Sequence, residues 1–188
     1  MLAKENPEQM LDRALHALST ESDWRSSLDE LPVPIYTTDA KGRVTYWNRA
    51  CVDFAGREPQ LGRDKWCVTW QLFTTAGDPL PHADCPMAQA IKQERAIRDA
   101  VAIAERPDGS RVAFRAYPTP LFDGNGSLTG AANMLLDVSS EQCKSLRAQA
   151  DHCRRLADAT FDGTTSKVLC DMAEGFERIA DQLSPKAN

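Results

Sequence analysis

Nowhere in its 188 residues does the sequence string together the roughly 20 apolar residues that a helix needs to cross a bilayer. The opening MLAKENPEQMLDRALHAL also lacks the continuous apolar stretch of a secretory leader. Both absences predict a cytoplasmic protein with no membrane partner. Positive charge is short as well: 22 Lys and Arg against 27 Asp and Glu leave a formal net charge of -5. Without a basic field to gather phosphates, nucleic acid is not expected as a partner. The six cysteines, Cys51, Cys67, Cys85, Cys143, Cys153 and Cys170, include no C-x-x-C pair, and they read as free thiols rather than as a disulfide framework. His152 and Cys153 are neighbours whose side chains on a helix point about 100° apart, so they cannot chelate together and no metal site is assigned. No nucleophile elbow or convergent triad accompanies the three histidines. The chain is therefore not expected to be an enzyme.

What is present is ordinary for a folded domain, 42% hydrophobic and 26% charged residues. The sequence divides into an N-terminal amphipathic helix (1–25), a β-rich middle (26–138) and a C-terminal helical extension (139–188). Asn6-Pro7 supplies an N-cap and a first-turn proline, and Gln9 stands where a capping box closes. Leu11, Leu15 and Leu18 then recur at helical spacing as a narrow apolar stripe.

In the middle segment, turn signals punctuate runs of β-branched and aromatic residues. Asp39-Ala40-Lys41-Gly42 separates Val33–Thr38 from Arg43–Trp47, Pro107-Asp108-Gly109 separates Ile97–Glu105 from Arg111–Tyr117, and Asp123-Gly124-Asn125-Gly126 leads into Leu128–Leu136. Five strands result, the last three an antiparallel meander. Between the second and third, strand pattern is absent, and short helical pieces are expected at Arg49–Phe54, Glu58–Leu61 and Met87–Lys92. The fold class is α+β, because helices do not alternate with strands as a parallel sheet requires.

After Ser139 the helical period returns. Asp162-Gly163 breaks it into two helices, and Thr164-Thr165-Ser166 offers hydroxyls to cap the second. There Leu169, Met172, Phe176, Ile179 and Leu183 alternate three and four apart as a seam. The preceding helix offers only Leu146, Ala150, Cys153, Leu156 and Ala157 to cover it. A hairpin with a second chain completing the seam is expected, which predicts a homodimer through the terminal helices.

Several strings resemble the PAS superfamily: Leu31-Pro32-Val33-Pro34-Ile35-Tyr36-Thr37-Thr38-Asp39-Ala40-Lys41-Gly42, then Val44-Thr45-Tyr46-Trp47-Asn48-Arg49-Ala50, with Asn48 also a sensible N-cap. Gly77–Ala88, Glu105–Ser110, Tyr117–Leu121 and Gly130–Val138 resemble strings of PAS domains in bacterial sensor histidine kinases. The resemblance covers about Leu28 to Val138 and implies a PAS-like five-stranded antiparallel sheet with a helical crossing. It also implies a signal-sensing role, with a histidine kinase or regulator as partner. No phosphoacceptor or ATP-binding region follows Val138, so kinase activity does not carry over.

The same resemblance draws attention to two residues. His82 begins the region where heme-binding PAS sensors place an axial histidine, but it sits in a proline-rich string that reads better as a surface loop. Cys67 invites comparison with flavin photosensors, yet Gly62-Arg63-Asp64-Lys65-Trp66-Cys67 puts a lysine where their cysteine stands. Cys67 is instead expected to be a semi-buried hydrophobe beside Trp66 and Trp70. No cofactor is expected. A small apolar ligand could enter the family's cavity, with Ile35, Tyr36, Trp47, Phe54, Trp66, Trp70, Val101, Ile103, Phe114, Met134 and Leu136 as candidate lining. The alternative is that these side chains fill the interior, leaving an adaptor that binds protein and no ligand.

Overall fold

The computed structural model describes residues 6–98 and 100–183. Helix α1 (Pro7–Thr20) starts on the expected capping box, with Asn6 and Gln9 exchanging hydrogen bonds across the first turn. A short helix α2 (Trp24–Asp29), which the sequence did not announce, leads into strands β1 (Ile35–Asp39) and β2 (Val44–Trp47). Helix α3 (Arg49–Ala55), strand β3 (Gln71–Phe73) and helix α4 (Pro86–Gln93) fill the crossing. Strands β4 (Ala100–Glu105), β5 (Arg111–Ala116), β6 (Thr119–Phe122) and β7 (Leu128–Asp137) follow, and helices α5 (Ser139–Ala159) and α6 (Gly163–Leu183) close the chain.

All strand pairings are antiparallel in the order β2-β1-β7-β5-β4-β3, with β6 on β7. The α+β architecture and the five expected strands are present. Two short strands are additional. β3 lies inside the crossing, where no strand was expected: three residues are too few to show alternation, and an edge position asks little of them. β6 arises because Pro118 cannot donate to a ladder, so a single line of chain divides at Tyr117-Pro118. β5 then pairs with the end of β7 and β6 with its start. The expected helical piece at Glu58–Leu61 is instead irregular chain entering a turn at residues 61–63, held where Asp64 accepts from Gln60 N (2.9 Å) and pairs with Arg57 (2.6 Å).

Both faces of the sheet are covered. The inner face packs against α3 and α4. On the outer face Met10, Leu11, Ala14 and Ala17 of α1 bury against Leu28, Ile35, Tyr46 and Met134. Elsewhere on that face, α5 and α6 place Cys143, Leu146, Ala180 and Leu183 over Ile103 and Ala113. A buried leucine or methionine contributes about 1.5–3 kcal/mol, which is what holds these helices down. Arg111 fastens the end of α6: it pairs with Glu105 (2.8 Å), donates to Gln182 Oε1 (2.6 Å) and stacks 4.0 Å from the Phe73 ring centroid.

The terminal helices depart from the sequence reading in phase. The carboxylate of Asp162, rather than the hydroxyls after it, caps α6 by accepting from Thr164 N and Thr165 N. α5 and α6 form the antiparallel hairpin, but their contact runs through Ala150, Cys153, Ala157, Ala173 and Ala180, whose small side chains let the backbones approach. The expected seam is divided: Leu183 is buried, Ile179 turns to the sheet, Phe176 packs between the sheet and α5, Leu169 is half-buried and Met172 is exposed. Leu156 is exposed too. In α1, Leu11 is buried on the sheet and Leu15 and Leu18 are partly so.

Candidate functional site

The inner face is where this sheet could house a ligand, and strand parity decides which side chains reach it. Successive residues of a strand point to opposite faces. Tyr36 therefore enters the inner cluster with Phe114 and Phe54, while Ile35 lies outside under α1. Of the eleven candidate lining residues, Tyr36, Trp47, Phe54, Trp66 and Phe114 come together inside. Ile35 and Met134 pack under α1; Val101, Ile103 and Leu136 lie toward the hairpin. Trp70 is exposed rather than lining anything inside. The inner positions that sequence reasoning missed are mostly small: Ala102, Ala104, Ala116 and Ala131 floor the space, and Met87, Leu135, Val44 and Val68 fill it. The Phe54 and Phe114 rings meet edge to face at 5.6 Å.

A polar spine runs through this packing. The Tyr36 hydroxyl, fully buried, donates to the Trp66 carbonyl (3.0 Å) and accepts from Asn133 Nδ2 (3.0 Å), while Asn133 Oδ1 accepts from Tyr117 N (3.0 Å). Trp66 is held in the left-handed region, φ 72°, with its indole laid over Gly42 where a Cβ would stand 2.2 Å from the ring. Only glycine allows that approach. Cys85 also donates toward the Trp66 carbonyl (3.8 Å). Burial pushes the Cys85 thiol up to about 12 and drives Cys51 and the Tyr36 phenol well above their ordinary values. These groups stay protonated near neutrality and offer no nucleophile. Cys67 is buried rather than semi-buried, and its sulfur accepts from Thr69 Oγ1 (3.2 Å).

His82 sits in a short 3-10 turn (His82–Asp84), partly buried, its Nε2 3.4 Å from Thr69 Oγ1. Burial lowers its pKa below the ordinary 6.5. The folded state therefore binds fewer protons at His82 than the unfolded state does in that window. Stability tied to this residue is complete above about pH 6.5 and is lost as pH falls through the lower folded value. Thermal melts between about pH 7 and about pH 5 should show a steeper acid-side fall for the wild-type protein than for His82→Gln. Equal slopes would mean His82 carries no share of it.

His152 is exposed beside buried Cys153, and among the described residues no three His, Cys, Asp or Glu side chains converge to hold a metal ion. No helix among them is long and apolar enough to cross a membrane. Among the described residues four buried side-chain polar atoms, Thr38 Oγ1, Trp47 Nε1, Arg57 Nε and Arg115 Nε, have no protein hydrogen-bond partner.

Against known structures the whole architecture has parallels. An RNA-binding light-oxygen-voltage receptor aligns with TM-score 0.50 and 19% identity over 96% of this chain, which spans 41% of that protein's length. A light-oxygen-voltage domain characterised with a flavin analogue aligns with TM-score 0.51 and 15% identity, over 71% of this chain and 98% of that one. The PAS domain of the fruit-fly ELK potassium channel gives TM-score 0.50 and 12% identity, over 61% and 93%. Comparison with curated proteins returns no match. The PAS fold model matches residues 28–142, more than half of the sequence. With its inner packing, its antiparallel order and its covering helices in place, the chain belongs to the PAS fold family.

Proposed function

We propose that this chain is a non-catalytic signal-relay module that works by contact: changes pass between the sheet and the helices on its outer face, and through them to another protein chain. A second copy, a histidine kinase or a response regulator is the class of partner. One observation carries the reading. Helices from both ends of the chain, α1 and the α5–α6 hairpin, are seated on the same outer face of the sheet, while the inner face is filled by the protein's own side chains. Tyr36, Phe114, Met87 and Leu135 are each at most 1% exposed. Their close packing on the inner face supports a reading without a bound flavin or heme, and His82 Nε2 lies 3.4 Å from Thr69 Oγ1 at the edge of a shallow surface pocket.

The test is an absorbance scan of the purified protein after incubation with hemin or flavin mononucleotide and removal of the excess. The expected result is no protein-bound visible band. A chromophore retained at one per chain would overturn the contact reading and support cofactor-based sensing. The unpartnered Trp47 Nε1, packed against the inner cluster, favours a second reading, a small polar ligand inside the sheet. Native mass spectrometry would register such a ligand as an added mass.

A further inference from the structure

The outer face carries a groove that the relay reading does not use. Between the C-terminal half of α1, the start of α2 and strands β1, β2, β6 and β7 lies a groove of about 370 Å³, within the range of small-molecule sites. Part of its wall is apolar: Leu15 and Leu18 are only partly buried by the sheet, Trp24 stands on Tyr46, and Phe122 keeps 47% of its surface exposed. Among its polar side chains, Ser19 and Thr129 spend their hydroxyl hydrogens on the carbonyls of His16 and Leu121, which leaves Arg25 and the threonines of β1 and β2 as the donors into it. Arg25 stacks 4.3 Å from the Trp24 ring centroid, which fixes the guanidinium beside the groove, and it makes no ion pair among the described residues. Thr37 Oγ1 and Thr45 Oγ1 are 2.8 Å apart. In such a hydroxyl pair one O–H donates to the other oxygen, so the second hydrogen is free to donate outward. None of the described residues lining the groove is acidic, in a chain of net charge -5.

A guanidinium and a spare hydroxyl hydrogen at one place, next to an apolar trough, call for an acceptor of negative charge on a hydrocarbon body. We propose that this groove binds a free amphiphilic monocarboxylate of the fatty-acid class. Its carboxylate sits on Arg25 and the Thr37/Thr45 pair, and its chain lies along Leu15, Leu18 and Phe122. The site is on the opposite face of the sheet from Tyr36 and stands or falls separately from the relay reading.

The full chain is titrated calorimetrically with decanoate, decanol and decylammonium, each below its aggregation threshold. Decanoate is expected to saturate at one per chain and to bind about tenfold or more tightly than decanol, with decylammonium weakest. Arg25 is exposed, so Arg25→Gln folds normally and should bring decanoate down to the affinity of decanol. Thr45→Val should weaken decanoate alone, and Phe122→Ser should weaken decanoate and decanol together. The proposal is overturned if decanoate fails to saturate, if the wild-type protein binds decanoate and decanol equally, or if Arg25→Gln leaves decanoate unchanged. It is equally overturned if light scattering finds a dimer that Phe122→Asp converts to monomer, since a second copy would then be the occupant.

Discussion

Replacing Asn48 by alanine is expected to lower the stability of the fold by about 3–5 kcal/mol, among the largest effects of any single side chain here. Asn48 is fully buried at the junction of β2 and α3, yet it is satisfied on every side. Its Oδ1 accepts from Ile35 N (3.0 Å), and its Nδ2 donates to Leu28 O (3.0 Å) and Val33 O (2.9 Å). One side chain thus ties the end of α2, the lead into β1 and the start of α3 into a single joint. Alanine removes the partners of the Ile35 N–H and the Val33 carbonyl in a site that excludes water, and leaves the Leu28 carbonyl with only the Leu31 N–H (3.2 Å). Each unmade bond of that kind costs about 1–3 kcal/mol, and partial relaxation keeps the sum below the maximum. Urea unfolding should show the midpoint falling with the slope unchanged. A loss under about 1 kcal/mol would mean that water enters and replaces the amide.

The same residue illustrates what the sequence could tell. Asparagine before Arg49-Ala50 reads as an N-cap, and Asn48 does occupy that position, but its side chain makes no capping bond. The residue type is the same for both jobs. What separates them is the placement of Leu28 and Val33, 20 and 15 positions away, and local pattern does not contain that. The helix at Pro7, by contrast, was legible to the residue because its cap is entirely local.

Six of the eleven candidate lining residues lie off the inner face for a related reason. β4 reads Ala-Val-Ala-Ile-Ala-Glu, and choosing its large residues puts Val101 and Ile103 in the pocket. In a sheet covered on both faces, size does not mark the inside. Here the inner face meets the bulky Tyr36, Phe54, Phe114 and Met87, so β4 offers alanines there and turns its valine and isoleucine outward to the terminal helices. Parity alone forbade Ile35 and Tyr36 from sharing a face, and that much was readable. Which of the two faced inward depended on helices far away in the chain. The α6 seam slipped similarly: the sheet claims Ile179, and Phe176 is shared between the sheet and Ala150 and Cys153 of α5.

Gly130→Ala is expected to be as damaging as the loss of Asn48, on the order of 3 kcal/mol or more, through a mechanism with no polar component. Gly130 lies on β7 opposite Asp39 of β1 and Leu121 of β6, flanked by strands on both sides. A Cβ built there would stand 1.9 Å from the carbonyl oxygen of Thr38 and 3.0 Å from its carbon. Those atoms are backbone and cannot rotate away as a side chain can. Alanine therefore forces β1 off β7 around Thr38–Ala131 and Asp39–Gly130, the pairing that joins the two halves of the sheet. Gly126 provides the contrast: it has φ +80° and nothing within 4 Å of the added carbon, so Gly126→Ala carries only the left-handed backbone cost of about 1 kcal/mol. Parallel denaturant unfolding of the two variants separates contact from conformation. If Gly130→Ala proves no more destabilising than Gly126→Ala, the close crossing of β1 over β7 does not constrain this sheet, and glycine at 130 has no steric reason.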